Sequence, residues 1–323
     1  MAGSDVPVKS DMLFENPFHI EDIAVFDDET LEHMLAHHQF GLTSDLLAHS
    51  FHGVSAALLQ RIAHVLPAQD YDQFIHEIHQ PCTKECVESA RRQILDNLFW
   101  ELVYWKIPEV YEELTEGERL HPGIFQQLGP ELRAKTVLDA GAGSGRASFE
   151  CVRYGAERVF AVDPSPGLLR ILRHKVADQV AQERVIPRIG RFDALPLEED
   201  SVDVSISCSA FTADPEQGGE EGLAEMKRVT RPGGKLVIIW PRVEDHDWFQ
   251  AHGFQYVALP LQEEMRVFFR SLETAVRCAR LFYAHNPAVM RYLVTERRPD
   301  IPFSVLGMHP PRDYFWLENT ERK

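Results

Sequence analysis

An apolar run followed by three glycines at alternate positions most constrains the fold of this 323-residue chain. The stretch from Thr136 to Arg146 reads TVLDAGAGSGR, with Asp139 closing the apolar run. An amphipathic pattern begins directly afterwards at Ala147. Glycine allows backbone conformations closed to other residues and lets a ligand come close to the start of a helix. The stretch therefore predicts a strand, a ligand-binding loop and a helix in succession.

Short apolar runs alternate with helical patterns throughout the chain after Lys135. This alternation predicts an α/β fold with a mostly parallel sheet. Asp163 closes the second run, about 20 positions past the glycines, where an acidic side chain can accept hydrogen bonds from ribose hydroxyls. Seven strands are expected, over 136–139, 158–163, 185–189, 204–208, 235–240, 255–258 and 313–317.

The spacing Asp-x-Gly-x-Gly-x-Gly differs from the G-x-G-x-x-G fingerprint of dinucleotide-binding proteins. It resembles the first motif of the class I methyltransferases that depend on S-adenosylmethionine (SAM), a superfamily with many small-molecule enzymes. Residues 225–236, EMKRVTRPGGKL, resemble a later motif of that superfamily. The resemblance implies a Rossmann-like seven-stranded sheet and direct in-line transfer of a methyl group. An acidic residue also suits a cofactor with an ammonium and a sulfonium better than a phosphate.

The resemblance also implies which residues bind SAM. They lie in the glycine loop, after the second and third strands, and at the end of the fourth strand. The implied set is Asp139, Gly141, Ala142, Gly143, Gly145, Asp163, Pro164, Ser165, Asp193, Ala194, Cys208 and Ser209.

No catalytic residue is assigned from the sequence. If the acceptor is an O–H or N–H group a base helps, and the candidates are His121, Tyr111 and His246. Cys208 is not expected to act as a nucleophile, because methyl transfer from a sulfonium is direct. The Asn/Asp-Pro-Pro-Tyr motif of amino-methylating relatives is missing after the fourth strand, which argues against DNA or an amide nitrogen as acceptor. A metalloid acceptor would need several convergent cysteines, so a small molecule is preferred.

Three regions are predicted: a flexible tail over 1–20, a helical domain over 21–105 and the methyltransferase domain over 106–323. In the helical domain, Asp27 or Asp28, Ser55 and Thr83 are expected to cap helices. One long helix is expected from about Val87 to Tyr104. The aromatic residues between 99 and 111 either cover the cofactor as a lid or join the two domains.

The helical domain is similar in about 70 residues to the C-terminal part of the flagellar motor-switch protein FliG. Only the fold type, a compact helical module, is inferred from this similarity. The matching positions are 28–31, 47–48, 53–55, Leu59, 61–62 and 87–95.

Histidines and cysteines concentrate at the end of the helical domain. His76, His79, Cys82 and Cys86 fall within eleven residues and offer four zinc ligands. The spacing differs from that of a standard zinc finger, so the preferred interpretation is a helix followed by a loop and another helix, without metal. His33 and His37 lie one helical turn apart with no acidic partner in the motif, which predicts a surface position for both.

About fifty residues separate the last two predicted strands. Helices are expected there over 263–283 and 287–295. Seven arginines of this insertion lie between positions 266 and 298; a solvated face is the preferred interpretation, and docking of an acidic acceptor is the alternative. They are Arg266, Arg270, Arg277, Arg280, Arg291, Arg297 and Arg298.

The net charge of −17 makes nucleic acid a poor expected partner, because affinity for it comes largely from neutralising phosphates. No apolar run approaches the ~20 residues of a membrane helix, no secretory signal is recognised, and five scattered cysteines suit a reducing cytoplasm. Two other functions stay open: a SAM-binding or scaffold protein without catalysis, whose helical module binds a protein partner, and a nucleotide-dependent oxidoreductase.

Overall fold

The computed structural model describes residues 16–177 and 184–320. Most of the predicted tail lies outside these ranges. The helical pattern after Asp163 predicts a helix from Pro166 to about Gln182, and the end of that helix also lies outside them. Within them, Phe18 and Ile20 are buried and pack in the core of the helical segment. The prediction of a flexible tail is therefore wrong for residues 18–20. No helix in the described ranges is long and apolar enough to cross a bilayer.

The first described hundred residues form helices whose starts follow from the sequence. Asp27, Thr43, Ser55 and Thr83 each accept a backbone N–H at the start of a helix, which satisfies a donor that the helix leaves free. The helices are α1 (Asp28–Ala36), α2 (Ser44–Ser50), α3 (Ala56–Val65), α4 (Ala68–Ile78), α5 (Lys84–Asn97), α6 (Phe99–Lys106), α7 (Pro108–Gly117) and α8 (Gly123–Leu132).

The single long helix expected over 87–104 is wrong. The chain breaks at Leu98, whose φ and ψ of −90° and 8° end α5 and begin α6. Leu98 is 1% exposed and belongs to the core of the helical segment. The break re-aims α6, so that its aromatic residues reach the second half of the chain.

A seven-stranded sheet follows, in the order β3-β2-β1-β4-β5-β9-β6. The first five strands are parallel, and β9 runs antiparallel between β5 and β6. The strands are β1 (Thr136–Ala140), β2 (Arg158–Asp163), β3 (Val185–Ile189), β4 (Val202–Cys208), β5 (Thr230–Ile239), β6 (Gln255–Ala258) and β9 (Asp313–Glu318). The helices α9 (Arg146–Arg153), α10 (Pro166–Ala177), α11 (Gly219–Val229) and α12 (His246–Ala251) connect them.

All seven predicted strands are confirmed, with small differences at their ends. The largest difference is in β5, which begins at Thr230 and not at Lys235, because a register shift opposite Val202 and Val204 lets the strand continue through the glycine turn. The result is a Rossmann-like sheet whose parallel strands all point their carboxyl ends to one edge.

The insertion between β6 and β9 is only partly helical. The helix predicted from Glu263 is wrong over its first residues, because β7 (Arg266–Phe268) pairs antiparallel with β8 (Asp300–Pro302) in a small separate sheet. The helices α13 (Leu272–Phe282), α14 (Pro287–Glu296) and α15 (Phe303–Leu306) complete the insertion. Two arginines of the insertion form ion pairs with α7, Arg270 with Glu116 and Arg277 with Glu113.

Candidate functional site

The glycine loop lies between the carboxyl end of β1 and the start of α9. Gly141, Gly143 and Gly145 have φ of +70°, +54° and +96°, which only glycine adopts without strain. The N–H groups of Gly141 and Ala142 donate to the carbonyl of Val162, at 2.9 and 3.0 Å. A Cβ at Gly141 would lie 2.5 Å from the Cβ of Ala210. The loop therefore needs its glycines both for conformation and for space.

Asp139 lies at the end of β1 beneath this loop and is completely buried. Ser148 Oγ donates to Asp139 Oδ2 at 2.5 Å, while Oδ1 has no hydrogen-bond partner among the described residues. Burial raises the pKa of the Asp139 carboxyl to about 6, because water no longer stabilises the charged form. A buried carboxylate oxygen without a partner favours a ligand that supplies a donor or a positive charge.

Asp163, at the end of β2, faces the same loop. Its Oδ2 accepts the N–H of Gly143 at 2.8 Å, and its Oδ1 accepts the N–H of Ser165 at 2.9 Å. Burial raises the pKa of Asp163 to about 6, against the lowering effect of these two hydrogen bonds. The structure thus brings Asp139, Asp163 and the glycine loop together, as the sequence predicted, with Pro164 and Ser165 turning the chain into α10.

The loop after β3 carries Asp193 and Ala194. Asp193 pairs with Arg191 Nε at 3.1 Å and with His33 Nε2 at 3.5 Å, and the Ala194 N–H donates to the Arg191 carbonyl. The prediction of a surface position is therefore wrong for His33, whose side chain is 14% exposed. Its acidic partner is 160 positions away in the chain, so no local sequence signal indicated the contact. His37 is exposed, as predicted.

A network of polar side chains covers the carboxyl end of β4, next to the buried Cys208. Arg146 Nη2 donates to Ser209 Oγ at 2.5 Å, and Arg146 Nη1 lies 3.5 Å from Glu118 Oε2. Tyr283, just after α13, donates to Glu118 Oε1 at 3.3 Å. Burial raises the pKa of Glu118, while Arg146 acts in the opposite direction. Glu118 and Tyr283 were not predicted from the sequence because they lie outside the motifs. Glu118 precedes β1, and Tyr283 belongs to the insertion between β6 and β9.

Helices α6 and α7 pack against α10 and lie over one side of the cleft, which is the space bounded by the glycine loop, Asp163 and the carboxyl end of β4. Ser165 Oγ donates to the carbonyl of Tyr104 at 2.9 Å, and a Cβ at Gly167 would lie 2.5 Å from the same carbonyl oxygen. The rings of Tyr104 and Tyr111 meet edge to face, with centroids 4.8 Å apart. This contact places the end of α6 directly against the residues that follow Asp163.

The aromatic residues of α6 divide between the two expected roles. Trp105 packs edge to face on Phe26 in the helical segment, and Trp100 stacks on Phe282 of α13 at 5.5 Å between centroids. Both rings join parts of the chain. Tyr104 instead lies at the cleft, together with Glu101, whose pKa burial raises to about 7 with Asp163 adding to the increase. Glu101 is a further acidic group that sequence analysis did not find.

The three candidate bases lie in different places. Tyr111 is at the cleft, where burial raises the pKa of its hydroxyl far above the usual value. His121 Nδ1 accepts the N–H of Gly123 at 3.1 Å, at the wall of a cavity of about 380 Å³ that also contacts Arg146. His246 packs against Tyr256 of β6 and Phe315 of β9, so the structure does not bring it to the glycine loop.

The histidine and cysteine cluster differs from its sequence form. His79 Nδ1 bonds to the Ile75 carbonyl of its own helix, and His76 Nε2 lies 3.4 Å from the Gln80 amide. Cys82 and Cys86 instead lie together with His49 of α2.

Residues 137–234 match the family model described as "Methyltransferase domain". The chain is 35% identical over 122 residues to an uncharacterized methyltransferase of Mycobacterium tuberculosis, covering 37% of this chain and 46% of that protein. It is 29% identical over 152 residues to the methyltransferase GfsG of Streptomyces halstedii, covering 47% and 53%. It is 30% identical over 182 residues to a tRNA U34 carboxymethyltransferase of Chromohalobacter salexigens, covering 54% of each. The chain spans about half the length of these curated relatives.

Two solved structures show partial similarity. A putative SAM-dependent methyltransferase from Methanococcus maripaludis aligns over 68% of this chain and 93% of its own, with 16% identity and a TM-score of 0.41. A putative methyltransferase from Bacillus halodurans aligns over 62% and 98%, with 12% identity and a TM-score of 0.43.

Proposed function

We propose that this chain binds SAM and transfers its methyl group to a small-molecule acceptor by direct in-line displacement. The observation that carries the proposal is the buried Asp139 carboxylate beneath a loop of three glycines; one carboxylate oxygen has no partner in the part of the chain that the structure describes. The match of residues 137–234 to the methyltransferase domain supports it independently.

The charge of the cleft fits SAM better than a dinucleotide. Asp139, Asp163 and Glu101 lie near one another, and burial raises the pKa of each, so ionising these three carboxyls in the free protein is costly and a cationic ligand would offset that cost. SAM carries an ammonium and a sulfonium, which supply positive charge, whereas the phosphates of NAD would add to the repulsion. We therefore prefer the methyltransferase function to that of a nucleotide-dependent oxidoreductase.

The residues proposed to hold SAM are those named from the sequence. Asp193 Oδ1 and Oδ2 and the Ala194 N–H already have partners within the protein, so an adenine would have to share or replace them. When bound, SAM supplies the methyl carbon on a positively charged sulfur. The full proposed set is Asp139, Gly141, Ala142, Gly143, Gly145, Asp163, Pro164, Ser165, Asp193, Ala194, Cys208 and Ser209.

The polar network at the end of β4 is proposed to receive the acceptor. Glu118 is buried at 7% exposure, and its raised pKa suits a group that takes up a proton from an O–H or N–H acceptor. Arg146 and Tyr283 hold the Glu118 carboxylate in place. We therefore prefer Glu118 to His121 and His246 as proton acceptor. Tyr111 is a poor base because its hydroxyl stays protonated, but it can orient an acceptor and exclude water.

The experiment that tests the function is calorimetry with SAM, S-adenosylhomocysteine and NADH on the same preparation. We expect binding of the first two and no heat with the third. Incubation with methyl-labelled SAM and fractionated cell extract then tests turnover, with label expected in the small-molecule fraction. Binding of SAM without label transfer to any fraction would favour the non-catalytic alternative, and tight binding of NADH would favour the oxidoreductase.

The same labelling tests the class of acceptor. One relative is named for a reaction on tRNA, whereas the net charge of −17 disfavours a nucleic acid. Label that enters the RNA fraction would therefore overturn the small-molecule part of the proposal and leave SAM binding intact.

We propose a helical domain over 21–105 and a methyltransferase domain over 106–323. A separate apolar cluster whose fully buried members all lie between Phe18 and Val103 supports this division. The similarity of the helical domain to FliG, and its binding of a protein partner, stay predictions.

A further inference from the structure

Three metal-binding side chains meet in the helical segment, away from the glycine loop. His49 lies in the last turn of α2, Cys82 precedes Thr83 at the start of α5, and Cys86 lies in the first turn of α5. One ring nitrogen of His49 and the two sulfur atoms all lie within 4.8 Å of one another. All three residues are half-buried.

We infer that His49, Cys82 and Cys86 form a zinc site. Two thiolates and an imidazole are ligands that zinc prefers, with Zn–S near ~2.3 Å and Zn–N near ~2.0 Å. In a tetrahedral site these bond lengths place the donor atoms roughly 3.5–3.8 Å apart. Side-chain rotations that move the donor atoms by about 1 Å would therefore let all three bind one ion. Because the site is half-buried, water occupies the fourth position.

The start of α5 favours the charge that zinc requires. Thr83 Oγ1 accepts the N–H of Cys86 at 3.2 Å, which fixes the first turn and the position of the Cys86 side chain. At the start of this 14-residue helix, the partial positive charge of the helix dipole lies next to Cys86 and favours a negatively charged ligand there. Helix α5 also holds Arg91, which donates to the carbonyls of Ser50 and His52 and so keeps the end of α2 next to α5.

The pair of histidines nearest the cysteines in sequence is not part of this site. The rings of His76 and His79 contact Gln80 and the Ile75 carbonyl of their own helix, as described above. His49 comes from a helix more than thirty residues earlier. An ion held by His49, Cys82 and Cys86 therefore joins α2 to the α4–α5 connection, and it acts on the stability of the helical segment and not on the glycine loop.

The test is metal binding by the full chain, reduced and freed of metal. Titration with Co²⁺ should give the absorption of a thiolate-bound ion at one equivalent, and Zn²⁺ should displace it. Zn²⁺ should also raise the melting temperature. The substitutions Cys86→Ser and His49→Gln should weaken Co²⁺ binding at least tenfold, whereas the matched control His79→Gln should leave it unchanged.

Because a cysteine variant can fail to fold, the wild-type Co²⁺ spectrum and the milder His49→Gln variant decide the matter. A wild-type chain with free thiols at Cys82 and Cys86 and no thiolate–Co²⁺ absorption would overturn the inference. Equal weakening by His79→Gln and His49→Gln would overturn the ligand assignment. Isolation of a Cys82–Cys86 disulfide that forms equally fast with and without zinc would also count against the site, because a bound ion protects its thiolates.

Discussion

His33 Nε2 lies 3.5 Å from Asp193 Oδ2, and this contact joins helix α1 to the loop that follows β3. A second contact runs beside it: the N–H of Phe40 donates to Glu216 Oε1 at 2.6 Å. The two contacts connect positions 160 and more apart in the chain. The helical segment is thus attached to two loops at the edge of the sheet where we propose that SAM binds.

Replacing His33 by alanine should weaken SAM binding about 3- to 10-fold. Asp193 would lose one of its two partners and the restraint that it provides, which corresponds to about 1 kcal/mol. Calorimetry with S-adenosylhomocysteine measures the effect. The control is His37→Ala, one turn along the same helix, which leaves Asp193 untouched; an equal loss in both variants would show that the effect is not specific to the contact.

Acidification should lower the stability that the buried His33 contributes, even though a protonated imidazole attracts Asp193 more strongly. Burial, with Arg191 as the next cause, lowers the pKa of His33 below its usual value. The unfolded chain therefore binds more protons at this residue than the folded one, so its contribution to stability falls as pH drops through about 6.5. Thermal melts of wild type and His33→Gln at pH about 5.5 and 7.5 should show a smaller pH effect in the variant.

The substitution Asp139→Asn separates binding from stability. We expect SAM affinity to fall at least tenfold, about 1.4 kcal/mol, because a buried charge opposite a cationic ligand is lost. The melting temperature of the free protein should stay equal or rise, because the unpartnered buried charge is costly in the free state. A large drop in melting temperature would mean that Asp139 serves mainly in folding. The matched control is Asp72→Asn, which removes an exposed carboxylate of α4.

Binding of SAM should depend on pH with a defined sign. Burial raises the pKa values of Asp139 and Asp163 to about 6 and of Glu101 to about 7. Below these values the carboxyls are neutral, so affinity should fall as pH decreases from about 7 to 5.5, and binding near pH 6 should release protons. Calorimetry in two buffers of different ionisation enthalpy measures this release. The same affinity at both pH values would contradict the proposed charge pairing.

These carboxyls also give the free protein an opposite trend in stability. Because their folded pKa values are raised, the folded state binds more protons than the unfolded state between about pH 4 and 7. Their contribution to stability is therefore full at the acid end of that window and decreases as pH rises through it. Added SAM should reverse the loss, which a series of thermal melts would show.

Glu118→Gln should lower turnover about a hundredfold and leave SAM affinity within a factor of two. Glutamine keeps the shape and one oxygen, which can accept from either Arg146 or Tyr283, but it cannot take up a proton. A general base typically contributes about 10²–10⁴-fold. The measurement is formation of S-adenosylhomocysteine with the acceptor found by labelling. His246→Gln is the control, since His246 packs on the outer strands. Undiminished turnover in Glu118→Gln would remove Glu118 from this role.

Sequence analysis recovered the sheet because its signals are local. Each strand is a short apolar run, and Asp139 and Asp163 close two of them in neighbouring positions of the sheet, so their meeting follows from parallel topology alone. The small β7–β8 sheet was missed because each strand has three residues, too few for an alternating pattern.

The parts of the site that were missed depend on contacts distant in sequence. His33 meets Asp193, and Tyr283 meets Glu118, across more than 150 residues in each case. No glycine or proline marks the break at Leu98 in the sequence. The break occurs where Leu98 is buried in the core of the helical segment. Packing decides these positions, and a single sequence does not display packing.

The close fit between α6 and α10 has a consequence for the rate of the proposed reaction. The Tyr104 carbonyl accepts a hydrogen bond from Ser165 Oγ. It also lies so close to Gly167 that a Cβ there would be 2.5 Å from the carbonyl oxygen. If α6 covers bound SAM, S-adenosylhomocysteine leaves only when this hydrogen bond opens. Product release limits the turnover of many enzymes, and we expect the same here. We expect Ser165→Ala to increase the dissociation rate of S-adenosylhomocysteine in stopped-flow experiments. Gly167→Ala should also increase this rate, because the added methyl group would push the end of α6 away from α10.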